Sequence, residues 1–275
     1  MFSTHIPAKR DFKKCSSACT ATATACSYNL FRKGNTMQLH LSFSGSIILP
    51  IAHRHYLQSM IYNALQSDPV YAAALHDSAS SGRAYKLFTF GQLEGRYTVE
   101  GQWICFPQGA TLEIRSVHGE LLWRLFQAFH TGTSLRLGAN NLTVGSCTLE
   151  NTVITCDTMV VQTCSPVVAY VTEQDGRTVF FSPDDPEFYA LIGANARRKW
   201  AQKHSCPFDG IFTIEPAPDA RFRKQVTLYK NTRITGWHGR FRLSGSPEML
   251  DLLFHSGLGA KNSQGFGMFA PVSPR

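Results

Sequence analysis

The sequence predicts an α+β protein made of two tandem units, each running β-α-β-β-α-β. Alternating or β-branched runs and amphipathic helical stretches follow one another in the same order twice over. Gly, Pro, Asn and Asp punctuate the gaps between these runs, as turns require. No apolar run approaches the roughly 20 residues that span a bilayer, so no membrane partner is expected. At 275 residues with 43% hydrophobic and 17% charged side chains, the chain can bury a real core as one large domain or two small ones.

Residues 1–36 are rich in Ser, Thr and Ala and hold six Lys/Arg against one Asp. That composition superficially fits a transit peptide, but a disordered extension or an upstream start accounts for it as well. An upstream start is favoured, because Met37 stands directly before the first strand pattern. From Gln38, Leu39, Leu41 and Phe43 alternate with polar residues, the period-2 signature of a half-buried strand that Pro50 ends. Tyr56, Leu57, Met60, Ile61, Ala64 and Leu65 then recur at helical spacing. Ser67-Asp68-Pro69 opens a short second helix through Leu75, with Pro69 near its first turn. Strands follow at Lys86–Leu93, Tyr97–Phe106 and Thr111–Val117. Leu121, Leu122, Leu125, Phe126 and Phe129 make another amphipathic helix, and strands at Leu135–Leu137 and Leu142–Leu149 close the unit.

The second unit opens with the β-branched run Thr158–Val171, interrupted at Pro166, with a hairpin partner at Arg177–Phe181. Ser182-Pro183-Asp184-Asp185 caps a long helix through about Lys203. Acids at its start and Arg197, Arg198, Lys199 and Lys203 toward its end complement the helix dipole. Strands are expected at Ile211–Glu215, Lys224–Leu228 and Ile234–Leu243. Ser246-Pro247-Glu248 opens a helix over Met249–Phe254, and a terminal strand covers Met268–Val272. Both units therefore follow the ferredoxin-like split βαβ plan, with expected boundaries of 37–151 and 152–275.

The formal charge is +8, but its distribution says more than its sum. Residues 1–36 contribute +5, residues 37–151 sum to zero and residues 152–275 contribute +3. Between Arg197 and Arg242 there are eleven Lys/Arg and three acids, a cluster that can contact phosphates and release counterions from RNA. The eight cysteines contain no CxxC pair, and five of them fall after Met37. They read as small buried apolar residues in a reducing cytoplasm rather than a disulfide framework or a zinc site.

The most informative stretch is Gly257-Leu258-Gly259-Ala260-Lys261-Asn262-Ser263-Gln264-Gly265-Phe266-Gly267. Glycine permits positive φ and close approach, so such a loop can turn several N–H groups toward one anion. Its helix–loop–strand order differs from the strand–loop–helix order of nucleotide-binding loops. It suits a loop that grips a polyanion's backbone.

This glycine-rich pattern resembles the C-terminal motif of the CRISPR-associated endoribonucleases that process precursor guide RNA, within the RAMP superfamily. Supporting similarities are Tyr56-Leu57-Gln58, Ile61-Tyr62-Asn63-Ala64, Lys86-Leu87-Phe88-Thr89-Phe90 and Gly236-Trp237-His238, so the resemblance runs from Met37 to Val272. It implies two tandem ferredoxin-like domains, an RNA-cutting activity and CRISPR repeat RNA as partner, with a guide–effector complex as a second partner. The rival reading with the same fold is a non-cleaving RNA-binding subunit of such a complex.

The sequence offers no convincing metal constellation, and no cofactor is expected. RNA carries its own nucleophile in the 2′-OH, so cutting needs only a base, a cation for the phosphorane and help for the leaving oxygen. The resemblance implies His76 as general base, Tyr62 as positioner or proton donor and Lys86 as stabiliser of the phosphate charge. The stretch Ser78–Ala84 is longer than the family's usual spacing, which makes Arg83 a substitute for Lys86. His53 and His55 are rival bases, since some members place the histidine before the first helix. His238 reads better as a satisfied core residue. RNA-binding candidates are Gly257, Gly259, Lys261, Asn262, Ser263, Gly265 and Gly267 in the loop, with Arg221, Arg223, Lys224, Lys230 and Arg233 in the basic cluster.

Overall fold

The computed structural model describes residues 37–65 and 86–272. The expected short helix after Ser67, together with His76 and Arg83, lies outside the described residues. The first unit comprises β1 (Met37–Ser44), β2 (Ile47–Pro50), α1 (Arg54–Leu65), β3 (Phe88–Phe90), β4 (Thr98–Glu100), β5 (Trp103–Phe106), β6 (Ala110–Ser116), α2 (Gly119–Ala128), β7 (Ser134–Leu137) and β8 (Asn140–Glu150). The second comprises β9 (Thr158–Thr163), β10 (Tyr170–Thr172), β11 (Thr178–Phe180), α3 (Pro186–His204), β12 (Thr213–Pro216), β13 (Arg223–Tyr229), β14 (Thr232–His238), β15 (Arg240–Ser244), α4 (Pro247–Ser256), a 3₁₀ turn (Asn262–Gln264) and β16 (Phe269–Pro271).

The main sheets order as β3-β6-β1-β8-β7 and β12-β15-β9-β16. In each, the unit's first strand lies between its third and fourth strands of the split βαβ plan, all neighbours antiparallel. Alternation drives β1 as expected, with Leu39, Leu41 and Phe43 all buried. Three expected strands prove to be two each. The chain breaks after β1 at Gly45, and β2 joins a separate sheet with β5 and β4. Tyr97–Phe106 folds into the β4–β5 hairpin, turning at Gly101. Ile234–Leu243 divides at Gly239, so that β14 forms a hairpin with β13 while β15 enters the main sheet. A hydrophobic run cannot reveal such breaks, because both halves keep the same period.

Helix ends follow their sequence signals. Ser246 caps α4 by accepting from the Met249 amide at 3.3 Å, and Gly257 ends it. Asp185 is the N-cap residue of α3, but its carboxylate takes the Ser182 amide at 2.7 Å instead of a helix N–H. The cysteines depart from expectation: Cys156 and Cys206 are exposed, and Cys105, Cys147 and Cys164 are only partly covered. The first two lie in the inter-unit linker and just past α3, where the main sheets cannot cover them.

The two units share their packing. Leu87 and Val117, flanking β3 and β6, belong to the hydrophobic core of the second unit. Arg115 on β6 reaches across: its guanidinium donates to the Phe269 carbonyl at 2.6 Å, lies 3.9 Å from the Phe254 ring centre and pairs with Glu113 at 2.5 Å. His255 on α4 meets the Met37 carbonyl at 3.2 Å and the Thr152 carbonyl at 2.9 Å.

The glycine loop after α4 is the centre of this junction. The Leu258 amide donates to Gly267 O at 2.8 Å, closing the loop on itself, while the Ala260 and Gly267 amides donate to Val168 O and Pro166 O. Gly267 has φ of 78°, and a Cβ there would overlap the Leu258 carbonyl. Gly265 has φ of 86°, and a Cβ there would stand 2.5 Å from the Phe90 ring and 3.1 Å from Arg54 Nη1. Only glycine fits both positions. Phe266 between them is fully buried, which stabilises the closed loop by about 1.5–3 kcal/mol.

Substitutions at this junction should be costly. Gly267→Ala should lose about 2–5 kcal/mol in urea unfolding, from the positive φ and the backbone overlap together. Arg115→Met should cost about 2–4 kcal/mol, because it strands a buried carbonyl and removes the partner of Glu113. An unchanged urea midpoint for either variant would contradict the packing described.

Candidate nucleic-acid site

Tyr62 lies in the last turn of α1, and Lys86 immediately precedes β3. Helical spacing places Tyr62 beside the buried stripe of Leu57, Ile61 and Leu65, half-covered and edge-on to Phe88 at 6.3 Å. Lys86 Nζ donates to the Tyr62 hydroxyl at 2.8 Å and stands 4.6 Å from its ring centre. Burial draws the Lys86 pKa down. Burial raises the Tyr62 pKa, with the neighbouring Tyr229 adding to the rise and a hydrogen bond with Ser263 opposing it. Tyr62 is therefore a neutral phenol at physiological pH, suited to donating or orienting rather than to acting as a base.

The glycine loop supplies the facing wall. Lys86, Lys199, Ser256, Lys261, Asn262 and Ser263 line a cavity of about 190 Å³. Among the described residues, none that lines the cavity is acidic. Lys261 stands 4.7 Å over the Tyr170 ring, and its pKa is also lowered by burial. The structure thus brings Tyr62 and Lys86 of the first unit together with Lys261 and Ser263 of the second.

The remaining loop candidates are largely covered. Gly257, Gly259, Gly265, Gly267 and Asn262 are buried rather than presented to solvent. The amides of Leu258, Ala260, Gly265 and Gly267 donate to protein carbonyls. Asn262 is an internal strut, its amide group donating to Leu258 O at 2.9 Å and Phe266 O at 3.0 Å. Toward the cavity the loop presents the side chains of Lys261 and Ser263, while the amides of Gly257, Leu258, Ala260, Gln264, Gly265 and Gly267 are taken by protein carbonyls.

Arg221, Arg223, Lys224, Lys230 and Arg233 are all exposed on or beside the β13–β14 hairpin. Val226 and Leu228 add apolar surface to it, 55% and 49% exposed. The hairpin's inner side is tied to the loop through α1. Tyr229 hydrogen-bonds the side-chain oxygen of Gln58, whose Nε2 donates to Ser263 O at 2.8 Å. The sequence gives no sign of Tyr229 and Gln58 as site residues, because a polar residue on a helix carries no mark of what it will meet.

The rival histidines stand apart from the Lys86–Tyr62 pair. His53 and His55 lie at the start of α1, about 13 Å and 10 Å along the axis from Tyr62 at 1.5 Å per residue. Their Nδ1 atoms meet the Pro50 and Ala52 carbonyls at 3.0 Å each. His53 opens instead onto a cavity of about 310 Å³ that it shares with Val226 and Leu228. Burial lowers its pKa. His238 is a satisfied core histidine, meeting Thr163 at 3.3 Å and Gln225 at 2.7 Å, with a pKa lowered to about 4 by burial.

Lys199 does not complement the end of the α3 dipole as expected: it is 1% exposed and points inward to the loop. Its spacing from Phe188, Ile192 and Ala196 puts it on the apolar stripe of α3, a signal available in the sequence.

The comparisons with known proteins agree with this architecture. Residues 48–146 match the family model described as CRISPR-associated protein Cas6, N-terminal, and residues 149–271 match CRISPR associated protein Cas6, C-terminal. The chain is 26% identical over 258 residues to CRISPR-associated endoribonuclease Cas6 1 of Methanocaldococcus jannaschii, covering 89% of this chain and 95% of that one. It is 27% identical over 227 residues to CRISPR-associated endoribonuclease Cas6 of Pyrococcus furiosus, covering 80% and 82% of the two chains. A solved CRISPR associated protein Cas6 superposes with a TM-score of 0.70 at 25% identity, over 86% of this chain and all of the other. With both halves of one family matched in order across nearly all the described residues, the chain belongs to the Cas6 family of CRISPR-associated proteins.

Proposed function

We propose that this protein is a metal-independent endoribonuclease that cuts CRISPR repeat RNA in the precursor guide transcript. The curated relatives carry the name endoribonuclease. The observation that carries the reading to this chain is the meeting of Lys86 and Tyr62 with Lys261 and Ser263 around a basic cavity at the junction of the two units. In the proposed reaction the 2′-OH of one nucleotide loses its proton to His76 and attacks the adjacent phosphorus. The P–O5′ bond breaks, leaving a 2′,3′-cyclic phosphate and a 5′-hydroxyl. Lys86 offsets the charge gathering on the phosphorane, a term worth about 2.7–4 kcal/mol for one well-placed donor in other enzymes. Tyr62, held as a phenol, orients the phosphate or hands a proton to the departing oxygen.

The exposed basic residues of the β13–β14 hairpin take the phosphate backbone outside the cut site. Their link to Ser263 through Tyr229 and Gln58 fixes the bound strand relative to the Lys86–Tyr62 pair. The protein acts in the cytoplasm, where the transcript is made.

Labelled repeat RNA should be cut equally well in EDTA, and an RNA lacking the 2′-OH at the cut nucleotide should stay whole. His76→Ala and Lys86→Ala should each lose about 10²–10⁴-fold in single-turnover rate while keeping most of their RNA affinity. Normal cutting by His76→Ala would remove His76 from the mechanism. RNA that is bound with a steep salt dependence yet remains intact would select the non-cleaving subunit instead. Replacing Arg223, Lys224 and Arg233 together should reduce the slope of log affinity against log salt by about 2, each phosphate contact contributing about 0.7 on a single strand.

A further inference from the structure

Lys199 is a cation in a place that disfavours one. Its stem lies in the apolar stripe by which α3 packs on its sheet, and its ammonium group is enclosed. A buried charge is unfavourable unless it is paired or hydrogen-bonded. Three acceptors surround this one: Gly257 O at 2.6 Å, Gly259 O at 3.2 Å and Asn262 Oδ1 at 2.7 Å. An ammonium has three N–H donors to match them, whereas a neutral amine has two. All three acceptors belong to the first half of the glycine loop, and Asn262 carries the connection on to Leu258 and Phe266.

The same side chain lines the cavity that holds Lys86, Lys261 and Ser263. Among the described residues, Lys86 before β3 and Lys261 in the loop line this cavity, His255 precedes Ser256 on α4, and Lys203 lies one turn further along α3. Lys203 directs its Nζ to Val117 O at 3.2 Å. A phosphodiester is the natural complement of a small cavity whose described lining holds three lysines and two serine hydroxyls.

We propose that Lys199 is a positioning residue of the cutting site: its three hydrogen bonds fix the arc from Gly257 to Asn262, so that Lys261 and Ser263 meet Lys86 and Tyr62. Its charge adds a further cation to the field in the cavity. The proposal rests on the endoribonuclease reading above. It has a pH signature, because burial pulls the Lys199 pKa down to about 7. The ammonium form is complete below that pH and is lost as pH rises through it, so the loop's grip weakens on the alkaline side. A phosphate in the cavity favours the charged form and therefore draws a proton onto Lys199.

The test is single-turnover cutting of repeat RNA from pH 6 to 9 by the unaltered protein, Lys199→Met and Lys199→Arg, with RNA affinity measured alongside. Lys199→Met should cut about 10²-fold more slowly at pH 7, the usual effect of a misplacement of about 1 Å, while the exposed hairpin keeps affinity within about threefold. Lys199→Arg should recover most of the rate and hold it to pH 9, where the unaltered protein slows by about tenfold, because a guanidinium stays charged. Both proteins keep Lys86, so the difference in their profiles belongs to position 199. If Lys199→Met cuts at the normal rate with an unchanged profile, the proposal is overturned and the endoribonuclease reading stands. If the unaltered protein leaves the RNA whole, that reading fails and the proposal fails with it. Should neither variant fold, calorimetry of the unaltered protein in two buffers of different ionisation heat decides the matter. Binding of the 2′-deoxy repeat RNA at pH 8, above the ordinary histidine range, should take up protons, and zero uptake overturns the proposal.

Discussion

The structure depends on one constraint: a loop that cannot pair as a strand is enclosed between two folded units, and its carbonyl oxygens must still find donors. Side chains supply them from both units. Lys199 serves Gly257 and Gly259, Asn262 serves Leu258, and Gln58 serves Ser263. Arg54 serves Gly265, while Thr89 and Asn262 both serve Phe266. Two of these donors are buried cations, and Arg54, its pKa lowered to about 10 by burial, also lies 4.8 Å from the Phe266 ring. The glycines make the loop compact enough to be enclosed, and the donors make enclosure tolerable. Neither device works without the other.

That arrangement shapes the chemistry available at the site. Six of the loop's amides donate to protein carbonyls, two of them to Pro166 and Val168 outside the loop, so much of its backbone is spent on holding the junction together. Lys261 and Ser263 line a cavity together with Lys86 of the first unit. The proposed cut site is therefore a property of the junction. Lys86 and Tyr62 alone make a modest cation–phenol pair, and Lys261 alone is a lysine resting on Tyr170. Brought together, they make a small basic chamber in the same molecule as the exposed basic hairpin β13–β14.

The hairpin β13–β14 carries the other half of the work. Its exposed side is basic and its inner side is anchored, with Thr227 and Tyr229 buried. A strand bound along it is registered against α1 through Gln58, and α1 carries Tyr62 one turn further on. In the proposed function affinity and cutting reside in different elements joined through Gln58, which is why variants of the two are expected to separate in binding and rate measurements.

The sequence by itself determined the order and kind of the main elements, because alternation, helical spacing and caps are local properties of the chain. It determined the glycine loop too, since four glycines in eleven residues weaken both helix and strand and favour a tight irregular turn. It could not say where a long β-run changes sheets, as at Gly45 and Gly239, because a strand's period is the same in either sheet. Nor could it tell that the loop's glycines are buried, or that Lys199 leaves the helix surface for the interior. Those are decided by which surfaces meet. Spacing placed Lys199 on an apolar stripe, but only packing against the loop gave its charge three acceptors, and only the docking of two units turned Tyr62, Lys86, Lys261 and Ser263 into one site.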